Sequence, residues 1–197
     1  MMLWNKGYVW LNGLVMSTSP VFLDIGAKWG SISNMLLDEF GGRSLAFEPS
    51  VAGDKIVPRE GLEISRKAIW INNEGVEFYD CGSQPSSSSI FKRKPRRGIA
   101  TKKIVESITL KEALQNIDTI DFMSMNIEGA EWPLLESQET IEGLRKVRQM
   151  NIQFHTEFSP DKTFIQVMDL LGEKLGIDYE VIRRHKRRPI IYAVKRN

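Results

Sequence analysis

Apolar residues dominate Val21–Ile25, interrupted only by Asp24 and without polar alternation, the pattern of a short strand buried on both faces. Within SISNMLLDEF, Ile32, Met35, Leu36 and Phe40 recur at helical spacing, and Gly41 and Gly42 stop that helix. RSLAFEP reads as a second strand ending at Glu48 and Pro49, and LEISRKAIW as a third. GVEFYD is a shorter fourth strand behind the turn signal NNEG. VESITLKEALQNI predicts a strand, then a short helix that Thr109 caps. IDFMSMNIEG predicts another central strand leading into a helix from Ala130. Pro133 fits the first turn of that helix, where a missing N–H does no harm. VRQMNIQFHTEF is a further strand. SPDKTFIQVMDLLGEKLG is amphipathic, with Phe164, Val167, Met168 and Leu171 on one face. YEVIRR and IIYAVKR are strands separated by a tight basic turn, which makes a hairpin.

Alternating strands and helices place the chain in the α/β class. The expected fold is a doubly wound, Rossmann-like, mostly parallel sheet with a C-terminal antiparallel hairpin strand. The 197 residues suit one domain, 1–197. Residues 1–19 read as an N-terminal helical extension. Their apolar run is broken by Asn12 and Gly13, and Lys6 is the only early charge, a poor match to a secretory signal. Residues 81–103 carry the serines Ser86, Ser87, Ser88 and Ser89, prolines and a basic run, and read as a long exposed loop.

Composition narrows the setting. No stretch approaches the ~20 apolar residues that span a bilayer. Cys81 is the only cysteine, which excludes an internal disulfide framework and favours a reducing, cytoplasmic location. A net charge of +2 does not by itself call for a nucleic-acid partner. Basic residues do concentrate in KRKPRRG (92–98) and RRHKRRP (183–189).

Ligands of doubly wound sheets bind outside the carboxyl ends of the strands. Asp24, Gly26, Ala27 and Gly30 sit where the first strand becomes the first helix. The turn is Gly-x-x-x-Gly, not the Gly-x-Gly-x-x-Gly that holds a pyrophosphate. An acid there repels phosphate and suits a cation. Glu48 ends the second strand about 20 residues past the turn, where a carboxylate grips ribose hydroxyls. An adenosine ribose and a positive group together fit S-adenosylmethionine.

FLDIGAKWGSIS, LAFEPS, AIWINNEGVEFYD, PSSSSIF, VESITLKEAL, IDFMSMNIEGAEWPLLE and IQFHTEF follow in an order that resembles FkbM-like methyltransferases. These are class I S-adenosylmethionine-dependent enzymes, many of which methylate hydroxyls of sugars or natural products. The resemblance implies that Asp24, Gly26 and Gly30 meet the methionine part of the cofactor and Glu48 the ribose. It implies that Lys67, Ala68 and Ile69 flank the adenine, and that Asn126 borders the transferred methyl. The family usually has lysine at Ser124 and often aspartate at Asn126, and its segment between Glu48 and Leu62 is longer.

Methyl transfer to a hydroxyl gains ~10²–10⁴-fold from a positioned base. Glu128 and His155, both near strand ends on the ligand edge, are the catalytic candidates. Three loose donors, Asn126, Glu128 and His155, are too few signals for a metal, and none is assigned. The basic hairpin turn, with His185, Lys186, Arg187 and Arg188, and the basic run at 92–98 would rim the substrate entrance and draw an anionic acceptor. That favours a small-molecule or glycan acceptor. RNA ranks below it, because Phe91 is the one aromatic side chain near the basic loops. Two other readings are an RNA-binding or RNA-methylating protein on a degenerate methyltransferase fold, and a nicotinamide oxidoreductase.

Overall fold

The computed structural model describes residues 3–6, 9–12, 17–82, 88–92, 99–158, 163–183 and 187–196. The first half runs β1 (Leu3–Lys6), β2 (Val9–Asn12), β3 (Val21–Ile25), α1 (Ser31–Phe40), β4 (Arg43–Phe47), β5 (Leu62–Ser65), β6 (Ala68–Ile69) and β7 (Val76–Asp80). The second half runs β8 (Thr101–Val105), β9 (Ser107–Ile108), α2 (Leu110–Ala113), β10 (Phe122–Met125), α3 (Glu131–Glu136), α4 (Gln138–Leu144), β11 (Gln149–Gln153), α5 (Phe164–Leu175), β12 (Ile177–Arg183) and β13 (Ile190–Lys195).

Seven strands form the central sheet in the order β12–β13–β11–β10–β3–β4–β5. The pairs from β11 to β5 are parallel, and β13 runs antiparallel to both of its neighbours. The expected doubly wound sheet with its antiparallel hairpin strand is therefore present. Alternate residues of the same strands feed opposite cores. Leu23, Ile25, Leu45 and Phe47 pack with α2–α5 residues such as Leu110, Trp132, Leu144 and Met168. Phe22, Ala46 and Phe122 pack with Leu36 and Leu37 of α1. No described helix is long and apolar enough to cross a membrane.

Three local expectations fail. The N-terminal extension is not helical where it is described: β1 and β2 pair antiparallel, Leu3 opposite Asn12 and Lys6 opposite Val9. Val9 and Leu11 alternate inward into the α1 core, the period of a strand. Burying each contributes ~1.5–3 kcal/mol. The Trp10 N–H donates to Asn151 Oδ1 at 2.7 Å, tying the hairpin to β11.

LEISRKAIW is not one strand. β5 stays in the main sheet beside β4, whereas β6 pairs with β9 outside it. The break falls at Arg66, whose guanidinium lies over Gly53; a Cβ there would stand 1.4 Å from Nη1. Gly53 belongs to the short 3-10 helix Val51–Lys55 in the segment that is longer in the resembling family.

Residues 81–103 are not simply an exposed loop. Thr101–Val105 is a strand paired antiparallel with β7. Ser88 and Ser89 are buried, and Ser89 bridges Tyr79. Residues 83–87 and 93–98 lie outside the described residues, as do 184–186 of the basic hairpin turn.

Candidate active site

The chain winds outward from β3 in two directions, so the sheet's switch point lies between β3 and β10. Ligands of such sheets bind at the carboxyl ends of those strands. Ser124 pairs with Asp24 and Met125 with Ile25, and the Asn126 N–H donates to the Ile25 carbonyl at 3.0 Å. The two strand ends leave the sheet in contact. A Cβ on Gly26 would stand 2.2 Å from the Asn126 carbonyl oxygen, and Gly26 has φ +82°. The glycine is thus required by the neighbouring strand end as well as by the turn.

Above this junction is a cleft of about 90 Å³, lined by Gly26, Lys28, Glu48, Pro49, Phe78, Ser88, Asn126, Ile127 and Glu128. Three buried side-chain polar atoms lack a hydrogen-bond partner among the described residues: Ser44 Oγ, Arg66 Nη1 and Asn126 Oδ1. Asn126 is the one of these residues that lines the cleft. A buried acceptor of this kind is ordinarily satisfied by an ordered water or a ligand donor.

Asp24 lies beneath the cleft rather than in it. Its Oδ2 accepts from the Ser33 N–H at 3.2 Å and the Ser33 hydroxyl at 2.9 Å. The N-cap of α1 is Gly30, which has no side chain to bind the orphan amides. Asp24 supplies that cap from the adjoining strand. Burial, only partly offset by the Ser33 bonds, raises its carboxyl to about 6. Glu48 lines the cleft and accepts from the Lys28 N–H at 2.9 Å and the Ser50 N–H at 2.8 Å. This grip shapes the glycine turn around Lys28, whose backbone is left-handed at φ 55°. The Lys28 ammonium sits 4.1 Å from the Trp29 ring centroid, and Trp29 is 47% exposed.

The turn IEGAE is folded by its last residue. Glu131 is fully buried, and its two oxygens accept from the Ile127 and Gly129 N–H groups, each at 2.9 Å. Between those amides Glu128 is held at φ 54°. Phe158 covers Gly129 so closely that a Cβ would stand 2.5 Å from its ring. Phe91 stacks on Phe158 with centroids 4.9 Å apart, and the Ser89 hydroxyl donates to the Glu128 carbonyl at 2.7 Å. The serine segment therefore docks on the turn that carries Glu128.

His155 does not reach the cleft. It is wholly buried, with Nδ1 3.0 Å from Glu131 Oε1 and Nε2 3.3 Å from Glu128 Oε2. Burial works against its charge, but the two carboxylates outweigh it and raise the imidazole to about 9. Arg188 comes in from the basic hairpin, its Nη2 3.8 Å from the same Glu128 oxygen.

The structure thus brings Gly26, Glu48, Asn126 and Glu128 to one cleft and sets Asp24 and His155 just behind it. Ala27 packs in the α1 core and Ile69 in the opposite core, and Gly30 abuts Ile56. Ala68 packs against Phe78, and Phe78, not Ala68, lines the cleft. Phe78, on β7, had no local signal in the sequence, and Ser88 comes from the serine stretch between β7 and β8 that was read as an exposed loop. Among the described residues no group of three His, Cys, Asp or Glu side chains is arranged to hold a metal ion.

The strand order, the glycine turn and the acid ending β4 together define the fold of class I methyltransferases. The sequence model of the methyltransferase FkbM domain matches residues 24–181, and the chain belongs to that family. S-adenosylmethionine is the cofactor that membership implies. The Methanococcus jannaschii fibrillarin pre-rRNA processing protein shares the fold, with a TM-score of 0.51 and 11% identity over 92% of this chain and 68% of that one. The METTL16 MTase domain does so with a TM-score of 0.51 and 14% identity over 91% of this chain. The chain spans 61% of the METTL16 domain and 60% of an Anabaena variabilis protein from an antibiotic biosynthesis pathway. No curated protein matches it by sequence.

Proposed function

We propose that the chain is an S-adenosylmethionine-dependent methyltransferase that methylates a hydroxyl on a saccharide-like, anionic acceptor. Glu128 carries the proposal: its backbone is left-handed, and it lines the strand-end cleft together with Asn126 and Glu48. Side chains held in such backbone cluster at sites where function outweighs strain.

The donor set suits the cofactor. Glu48 retains acceptor capacity for ribose hydroxyls, and Asn126 Oδ1 awaits a donor. The space is smaller than the ~300–1,000 Å³ usual for small-molecule sites, so seating a ligand of this size requires the walls to part. The bound cofactor supplies an activated methyl on a sulfonium. Glu128 takes the acceptor's hydroxyl proton as the oxygen attacks, a contribution of ~10²–10⁴-fold. Arg188 beside Glu128 and Lys28 at the rim favour an acceptor that carries negative charge. The glycan reading stands above RNA because Phe91 is spent on Phe158 rather than offered to a base. A nicotinamide oxidoreductase has no support from the family. Cys81, the single cysteine and buried, suits a reducing compartment.

Two measurements test this. Calorimetric titration should show S-adenosylmethionine binding and no NAD binding, with Glu48→Ala weakening the former by about 1–3 kcal/mol. Methyl-labelled cofactor incubated with sugar-phosphate, glycan and RNA pools should label the saccharides, and Glu128→Gln should cut the rate at least ~10²-fold. Label entering RNA alone, or an undiminished rate in Glu128→Gln, would overturn the acceptor class or the base.

A further inference from the structure

We infer that Glu131 and His155 are positioning residues, a buried carboxylate–imidazole pair that grips Glu128 at both its backbone and its carboxylate and presents it to the cleft. This rests on the reading above only for what Glu128 does there.

One carboxylate does both halves of the backbone work. Glu131 takes the N–H of Ile127 on one side of Glu128 and that of Gly129 on the other. It thereby holds Glu128 in a left-handed conformation that a residue with a Cβ rarely adopts. The same Glu131 Oε1 meets His155 Nδ1 at 3.0 Å. The other ring nitrogen faces Glu128 Oε2 at 3.3 Å. The main chain that carries the ring is fixed as well: the Trp132 indole N–H donates to the His155 carbonyl at 2.9 Å. A histidine serving the core alone would spend its second nitrogen on backbone or on a partner remote from the cleft. Here it is spent on a carboxylate that lines the cleft.

The groups facing the ring decide its state. Glu131 lies against Nδ1; Glu128 and the Gln153 amide, 3.5 Å away, lie against Nε2. Arg188 approaches the same Glu128 oxygen, its Nη2 3.8 Å away. Two carboxylates on two ring nitrogens need two N–H donors, so the ring is an imidazolium. In that state it has no lone pair and cannot be the base. The neutral ring keeps one N–H; in the tautomer that holds it on Nδ1 toward Glu131, the Nε2 lone pair faces a Glu128 oxygen, the bond becomes a repulsion, and Glu128 is released.

The test exploits the histidine count. The chain has two histidines, so ¹⁵N-edited ring spectra of a His185→Gln protein report His155 alone. Both ring nitrogens should stay protonated at pH 7.5, and Glu128→Gln should lower the titration midpoint by about one pH unit or more. A midpoint near the ordinary value of 6.5, or one that Glu128→Gln leaves in place, overturns the clamp. The second arm follows methyl transfer to the labelled saccharide pool. His155→Gln should lower kcat about 10²-fold while the Kd for S-adenosylmethionine stays within about twofold. The wild-type rate should fall above pH about 9, and that alkaline limb should vanish in His155→Gln. A limb that persists, or a Kd that worsens as much as kcat, assigns His155 to folding alone. If His155→Gln does not fold, Glu128→Gln in the ring spectra still decides. If wild type transfers no methyl at all, the proposed function fails while the spectra decide the clamp separately.

Discussion

Lys28 and Glu128 are the two non-glycine residues with left-handed backbone among those described, and both line the cleft. Lys28 stands inside the Gly26–Gly30 turn, where its left-handed backbone would suit a glycine. Its amide answers this in part: Glu48 binds it, and the bond fixes the turn around the strand end. Comparing two substitutions isolates the backbone strain. Lys28→Ala and Lys28→Gly both delete the ammonium that stacks on Trp29, so they differ only in the main chain. Alanine normally exceeds glycine in stability by ~0.5–1 kcal/mol in regular structure. Here the order should reverse, with glycine ahead by about 1 kcal/mol in urea unfolding. Equal stabilities would remove the strain from this position. Asp24 shows the opposite economy. The sequence suggested a carboxylate for a cation, whereas its Oδ2 caps a helix that has only glycine at its N-cap.

At the scale of elements, legibility follows the range of the forces. α1 and α5 were readable because period-3.6 apolar stripes and terminal glycines are local. β3 and β10 were readable because parallel strands buried on both faces leave near-continuous apolar runs, here interrupted only by Asp24 and Ser124. The division of β5 from β6 was not readable, since nothing within LEISRKAIW records which strand each half will pair with. The burial of Ser88 and Ser89 was equally hidden: four serines in a row look solvated, yet the Ser88 hydroxyl accepts the Cys81 N–H at 2.9 Å and Ser89 reaches Glu128. The site divides in the same way. Glu48 and Asn126 were legible because topology alone sends strand ends to one edge. The Glu131–His155–Glu128 contact was not, because it joins the start of α3 to a residue just past β11, 24 positions further along. Local forces also carry a prediction. α5 has a capping box, with the Thr163 hydroxyl accepting the Gln166 N–H and the Gln166 side chain returning to the Thr163 N–H. Thr163→Ala should cost about 1 kcal/mol in urea unfolding, with an unchanged m-value. Cofactor affinity should not move, because α5 contributes no residue to the cleft; a weakened affinity would mean that α5 reports to the site.

For the whole molecule, buried charge sets a pH-dependent stability whose sign is fixed by the direction of each shift. Asp24, raised from 3.8 to about 6, holds a proton in the native state that it releases when unfolded. Its contribution is full below pH about 4 and is lost as pH rises through about 6. His155, raised from 6.5 to about 9, behaves alike one window higher: full below about 6.5, lost as pH rises through about 9. Asp80 opposes both. Its burial is outweighed by Lys103 at 2.7 Å and by the Gly82 and Val51 amides, so its carboxyl is lowered and its contribution is lost on acidification. Stability should therefore decline in two steps from mildly acidic to alkaline pH. At ~1.36 kcal/mol per pKa unit, each step is on the order of 3 kcal/mol. Urea midpoints across pH 4 to 10 check this, with two variants assigning the steps. Asp24→Asn should flatten the acidic descent and leave the alkaline one. His155→Gln should do the reverse, and because it leaves two buried carboxylates facing each other without a cation between them, it should also lower stability at pH 6. An alkaline descent that survives His155→Gln would place the titrating group elsewhere and remove the imidazolium from beneath Glu128.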